Sequence, residues 1–328
     1  MRVVIETAVF AAPASQLQLL SLYQLGWEGR HRIHVEDDQA PAFRQWMDTQ
    51  PEGQRDECLL ALGMSLELDA REPSRHEVRV AAVAESLWTG DPPRLTLQDA
   101  HDLLRRRYEI VVEDADSDRA FLLAMATPEQ RDFLEKHEGN DHLLFRHGGG
   151  ISKIRQAITE HKQRLGGRLG CFVLFDSDAL RPQQPSAQSQ EVATLCEEAP
   201  TLAHHRLARR NIENYLPRDA LRGHVHRPPP RRRPHVATFD SFVRMRDEQR
   251  FHYNMKRGFA GDGERTDGSA GDLYDDLTDA ARTALERGFG DTIGRLFKDG
   301  NIQPLSLRVE GGWQEINPLV CEIIAMIR

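Results

Sequence analysis

Cysteine is scarce in this chain of 328 residues. Cys58, Cys171, Cys196 and Cys321 are scattered and never paired as CxxC, which argues against a zinc site or a disulfide framework and for reduced thiols. Long apolar runs are missing too, since none approaches the roughly 20 residues needed to span a bilayer. The opening Met1-Arg-Val-Val-Ile-Glu-Thr-Ala-Val-Phe10 is interrupted by Glu6 and reads as a strand, not a signal peptide. A cytoplasmic protein with no membrane partner is the expectation. There is no GxxxxGK[ST] phosphate loop, so an ATP-driven step needs another polypeptide. No internal repeat is visible. Excess positive charge is also absent, the net charge being −8.

The charge is unevenly spread. Between His204 and His235 nine arginines, at 206, 209, 210, 218, 222, 227, 231, 232 and 233, face only Glu213 and Asp219, leaving +7 locally and −15 elsewhere. A basic strip on an acidic body fits a phosphate-facing track, and fits a solvated arginine-rich linker nearly as well. Within it Pro228–Pro234 is Pro/Arg-rich and reads as extended.

Pattern divides the chain into three. Residues 1–95 read as a mixed α/β segment, with strands at Arg2–Val9 and His76–Val83 and helical stretches at Ala40–Met47 and Asp56–Leu62. The breaker Gly90-Asp-Pro-Pro-Arg94 ends it. Residues 96–220 alternate: a helix capped by Thr96, a strand at Tyr108–Val112, helices at Arg119–Met125 and from Pro128 to about His137, a strand at Leu143–Phe145, a helix at Ile151–Leu165 and a strand at Arg168–Phe175. That order predicts right-handed crossovers and a largely parallel sheet. Residues 221–328 read as mainly helical, with a break at Gly258–Gly271 and a strand-like Leu305–Glu310.

Two strands end in acids: Tyr108-Glu-Ile-Val-Val-Glu-Asp-Ala-Asp-Ser-Asp118 and Cys171-Phe-Val-Leu-Phe-Asp-Ser-Asp178. A parallel sheet delivers such carboxylates to its carboxyl edge, where open α/β folds place their sites. Crowded carboxylates repel unless a cation lies among them, and all-oxygen donors suit Mg²⁺ or Mn²⁺. Two such ions need about four to six carboxylates and can drive phosphodiester hydrolysis. Taken alone, Glu113–Asp118 is most often a solvated loop with an Asx helix cap.

An acid after a first strand, a glycine turn after a second, Asp-x-Asp after a third and a later acid together resemble a TOPRIM domain. That family includes topoisomerases, primases and nucleases of the OLD (overcoming lysogenization defect) group, and the match covers about Tyr108 to Pro217. The resemblance implies a Rossmannoid parallel sheet flanked by helices. It makes Glu113 the first-strand acid, Asp176 and Asp178 the Asp-x-Asp pair, and Gly148, Gly149 and Gly150 the glycine turn. Asp114 stands where the family has glycine, Ser117 sits where the second acid is usual, and Asp116 and Asp118 flank it; Asp118 is favoured.

Arg210-x-x-Glu213-Asn-Tyr is similar to a segment of the OLD-like nucleases in which the glutamate helps bind metal. Lys256, in Tyr253-Asn-Met-Lys-Arg257, is similar to a lysine they place beside the scissile phosphate, although a surface helix is its plainer reading. The resemblance implies a two-metal nuclease dependent on Mg²⁺ or Mn²⁺, acting on nucleic acid with DNA the expected substrate, as an effector of prokaryotic anti-phage defence. A separate ATPase or sensor subunit would be its partner, and a homodimer is left open. Substrate contacts are expected from Arg210, Arg227, Arg231, Arg232, Arg233 and Lys153. Two other readings stay open. One is a catalytically silent TOPRIM-fold subunit of an ATPase-containing complex. The other is an Asp-x-Asp phosphatase, a class that usually has Thr or Val where this chain has Leu180.

Overall fold

Short apolar strands alternate with helices through the first two thirds of the chain, and they assemble into two parallel sheets. The computed structural model describes residues 1–12, 16–71, 74–226, 235–262, 272–299, 302–310 and 312–328. The first sheet contains β1 (Arg2–Ile5), β2 (Arg32–Val35), β3 (Glu77–Val80) and β4 (Arg94–Leu95) in the order β2-β1-β3-β4. The second contains β5 (Tyr108–Val112), β6 (Leu143–His147), β7 (Cys171–Phe175) and β8 (Ala203–Arg206) in the order β6-β5-β7-β8. Every neighbouring pair in both sheets is parallel. The chain is therefore an α/β protein with two parallel four-stranded sheets flanked by helices.

The central strands β5 and β7 of the second sheet are packed on both faces, which explains why they are almost wholly apolar, Glu109 excepted. Ile110 and Val112 of β5, with Phe172 and Leu174 of β7, point into one core with α6 (Ala115–Ala124) and α7 (Pro128–Gly139). Val111, Val173 and Phe175 point the other way, against Ile154 and Ile158 of α8 (Ile151–Gln163) and Val192 and Cys196 of α9 (Ala187–Glu197). The register sets Ile110 opposite Phe172 and Val111 opposite Val173, so alternate residues feed alternate layers.

Two expected boundaries move. The helix α5 (Leu97–Leu104) buries Leu97, Ala100, Leu103 and Leu104 in the core of the first sheet, so the division falls after Leu104 and not at 95. The C-terminal region does not form a core of its own. Phe239, Phe242, Tyr253, Phe289, Phe297 and the apolar face of α15 (Trp313–Ile327) share one core with Phe121, Met125 and Leu134. Leu305–Glu310 is also corrected. Pro304–Val309 forms a helix with proline in its first turn, where the missing amide hydrogen costs nothing. Among the described residues no helix is long and apolar enough to cross a membrane.

The order β6-β5-β7-β8 runs 2-1-3-4 in sequence, so the winding reverses between β5 and β7. A crevice opens outside the carboxyl ends of two strands whose following loops diverge. Glu113 comes directly after the first and Asp176 directly after the second.

Candidate active site

The acidic loop after β5 folds as a cap. Asp114 is the N-cap of α6 and accepts the Asp116 amide at 3.0 Å, while Asp118 reaches back to accept the Asp114 amide at 2.9 Å. The acid at 114, out of place in the family pattern, thus satisfies an orphan amide of the helix start. This arrangement separates the two candidates for the second acid. Asp118 is turned inward and 7% exposed. Asp116 points outward and pairs with Lys298 at 3.1 Å, both side chains being largely solvent-exposed.

The loop after β7 is stitched to a distant segment. Ser177 Oγ donates to the Arg209 carbonyl at 2.8 Å, and the Asp178 amide donates to the Arg210 carbonyl at 2.9 Å. Asp178 takes a left-handed backbone conformation, φ +48°, which Asp tolerates better than most residues. Asn211 Nδ2 then bridges the pair, donating to Asp176 Oδ2 at 2.8 Å and to Asp178 Oδ1 at 3.1 Å. Glu113 Oε1 accepts the Asp176 amide at 3.2 Å, joining the two strand ends.

Glu213 enters from the 3₁₀ turn Ile212–Tyr215 and is 2% exposed. Lys256 Nζ meets its Oε1 at 3.0 Å, and its Oε2 has no hydrogen-bond partner. A buried carboxylate oxygen left unpaired is costly and marks a place where a cation or donor would be stabilised. Gly294 closes the other side: a Cβ there would stand 2.7 Å from Glu213 Oε1.

The electrostatics record the crowding. Burial, then Asp178, pushes the Glu113 carboxyl up to about 6. Burial pushes Asp118 up to about 7, against its hydrogen bond from Asp114 and with help from Glu113 and Glu213. Burial with Glu113, Asp118 and Glu213 holds Asp176 well above the ordinary carboxylate range. Burial alone would lower the Lys256 ammonium, but Glu213, Asp176 and Asp118 carry it above its ordinary value. The cluster holds more negative charge than one lysine balances.

The other expected residues fall in different places. Gly148, Gly149 and Gly150 make the β6–α8 turn. A Cβ on Gly148 would meet the Val112 carbonyl at 2.7 Å, and Gly149 and Gly150 have φ of +63° and +91°. The Gly148 and Gly149 amides are spent on the carbonyls of Val112 and Glu113, so these glycines serve a tight turn against β5. Lys153 is exposed and lies along Gly149.

Arg210 is corrected: it is 5% exposed and forks onto Asp262 at 2.8 and 2.6 Å, leaving no face for a phosphate. Its motif neighbours are also structural. Asn214 donates to the carbonyls of Arg250 and Tyr253, and Tyr215 donates to Glu315. Arg227, Arg231, Arg232 and Arg233 lie outside the described residues. Asn211 and Gly294 escaped sequence reasoning, although Asn211 stands inside the Arg-x-x-Glu segment and was there to be read.

A groove of about 760 Å³ opens beside the cluster, with Asp114, Ser117, His147, Glu213, Lys256 and Arg295 in its walls. The donors present are all carboxylate oxygens, the set that hard divalent cations take. Among the described residues no three His, Cys, Asp or Glu side chains converge on one point as they stand. Glu213 is engaged by Lys256, and Asp176 and Asp178 by Asn211, so gripping an ion calls for side-chain rotation within the cluster. No protein-family model, no curated protein and no solved structure matches the chain.

Proposed function

We propose that this chain is a divalent-metal-dependent nuclease of the TOPRIM type that hydrolyses phosphodiester bonds, with DNA the favoured substrate. The observation that carries the reading is the meeting of Glu113, Asp118, Asp176, Asp178 and Glu213 at one strand-order reversal beside Lys256, with a buried oxygen of Glu213 unpaired. A lone acid–base site needs no such number of carboxylates.

These five residues would hold Mg²⁺ or Mn²⁺, singly or as a pair. When bound, such ions activate water and stabilise the leaving oxygen of a phosphodiester. The chain's own contribution is positioning and charge. Asn211 fixes the mutual orientation of Asp176 and Asp178, and Gly294 admits the Glu213 carboxylate by lacking a side chain. Lys256, once drawn from Glu213 by a phosphate, would neutralise negative charge growing on the phosphoryl oxygens. On this reading the chain is the effector of an anti-phage pair whose ATP-driven step belongs to a separate ATPase subunit.

Supercoiled plasmid incubated with Mn²⁺, with Mg²⁺ and with EDTA tests the reading. Metal-dependent nicks that disappear in Asp176→Ala support it, and intact plasmid in every lane, or nicking retained in the variant, overturns it. A second reading, a binding subunit without catalysis, draws on the internal pairing of Glu213 with Lys256 and of Asp176 and Asp178 with Asn211, and it predicts no thermal stabilisation by either ion.

A further inference from the structure

The turn that packs on Glu213 carries two basic residues. Ile293, Leu296 and Phe297 of the 3₁₀ turn Ile293–Phe297 are buried, and Phe297 meets the Phe121 ring edge-on with centroids 5.2 Å apart. This anchoring leaves Arg295 and Lys298 on the exposed side, where they line the same groove as Lys256 and Glu213. Arg295 has no ion pair among the described residues. Lys298 crosses to Asp116, at the start of α6, at 3.1 Å. Both members of that pair are exposed, so the bridge is weakly held and easily exchanged for another anion. The rim acids Asp291 and Asp299 stand beside it, and Arg257 engages Asp291 at 3.3 Å.

We propose, resting on the nuclease reading, that Arg295 and Lys298 form the wall that receives the phosphate backbone of the substrate. Asp116 then acts as an internal stand-in for phosphate, holding Lys298 until nucleic acid displaces it. Arginine contributes a planar fork for two phosphate oxygens, and lysine a mobile point charge suited to exchange. A backbone laid along this wall reaches Lys256 and the carboxylates without crossing the body of the protein. Asp116 is thereby a regulator of affinity and not a metal ligand.

The test is binding without cleavage. Fluorescence anisotropy of a fluorescein-labelled 20-base-pair DNA duplex, and of an RNA duplex of the same sequence, is measured in EDTA with the full chain. The Arg295→Ala/Lys298→Ala variant should bind at least about tenfold more weakly, with a log–log salt slope flatter by up to about 1.8 for two lost phosphate contacts. Asp116→Asn should bind about two- to fivefold more tightly, because the competing carboxylate is gone. The same Asp116→Asn change in a Lys298→Ala background should have no effect, since the residue it releases is missing.

Wild-type affinity and slope in the double variant overturn the proposal. So does unchanged or weakened binding in Asp116→Asn, or wild-type protein that binds neither duplex. If the variants behave as stated but plasmid is never nicked, the nuclease reading alone falls. If plasmid is nicked with Mn²⁺ and the variants bind like wild type, the wall alone falls.

Discussion

Replacing Asp118 by Asn should stabilise the protein in EDTA, and by an amount that depends on pH. The Asn side chain can still accept the Asp114 amide that Asp118 accepts at 2.9 Å, so the helix cap survives and only the charge is removed. Burial and the neighbouring acids move the Asp118 carboxyl from 3.8 to about 7. A raised carboxyl is a stability cost that is absent while folded and unfolded forms are both protonated. The cost grows as the unfolded form ionises above about pH 4, and it is complete once pH passes about 7. At about 1.36 kcal/mol per pH unit the upper bound is ~4 kcal/mol, and sharing of the repulsion with Glu113 and Asp176 brings the expected gain to about 2–4 kcal/mol. Urea unfolding of wild type and variant at pH 4.5 and pH 8, both in EDTA, measures it. The variant should gain no more than about 1 kcal/mol over wild type at pH 4.5 and clearly more at pH 8. A gain equal at both pH values, or a loss at pH 8, would refute the claim that Asp118 is a crowded, buried carboxylate.

Other consequences are as direct. Asp176→Ala and Asp178→Ala should each abolish the rise in melting temperature produced by millimolar Mn²⁺ while leaving the circular dichroism spectrum unchanged; a wild-type rise in either variant contradicts the assignment. Gly294→Ala should leave the protein folded at a cost of about 1 kcal/mol or less. Its new methyl must displace Glu213 Oε1, so metal-dependent nicking should fall at least about tenfold, and full activity would detach Glu213 from the site. Arg210→Ala breaks the buried fork to Asp262 and should lose about 2–4 kcal/mol in urea unfolding. Arg210→Lys should recover little of this because it cannot restore two parallel hydrogen bonds; a neutral alanine variant would argue that the fork is not structural.

Of the second sheet, β5 and β7 were legible because both of their faces are buried: Cys171–Phe175 is an uninterrupted apolar run, and Tyr108–Val112 is broken only by Glu109. The strand Arg32–Val35 passed unseen because it reads Arg-Ile-His-Val. Its Arg32 is buried by an ion pair with Asp69 at 2.6 Å and its His34 lies 2.8 Å from the same carboxylate, and such pairing is a tertiary fact that no local pattern announces. Leu305–Glu310 misled for the opposite reason: its apolar spacing suits either period, and Pro304 with the shared core settled the helix. At the site the strand-end acids could be read from their positions. The sequence favours Asp118 over Asp116 without separating them, since only the turn of α6 sends one inward and the other to Lys298. Arg295 and Lys298 owe their placement in the groove to the buried apolar residues around them, which no charge pattern announces. Of the lysines at 136, 153, 162, 256 and 298, which are all the chain has, two line this groove.

The two sheets make an internal control on how much the fold alone contributes. Both have the strand order 2-1-3-4, and in each an acid comes after the first strand, Glu6 after β1 and Glu113 after β5. At the first sheet Arg94 forks onto Glu6 at 2.9 and 2.7 Å, and β3 leads into Ala81 and Ala82 where β7 leads into Asp176 and Ser177. At that crevice each strand-end glutamate is paired with a strand arginine, Glu6 with Arg94 and Glu36 with Arg79 at 3.6 Å. The second has five carboxylates drawn from the ends of β5 and β7, from α6 and from the turn at Glu213, against one lysine. Equal topology with unequal charge means that the fold supplies the crevice, and the residues placed in it decide whether it can hold a cation. The C-terminal helices take part in that decision: they bring Lys256 and Gly294 to Glu213 and share their core with β5, so removing residues beyond 220 should dismantle the site along with the region removed.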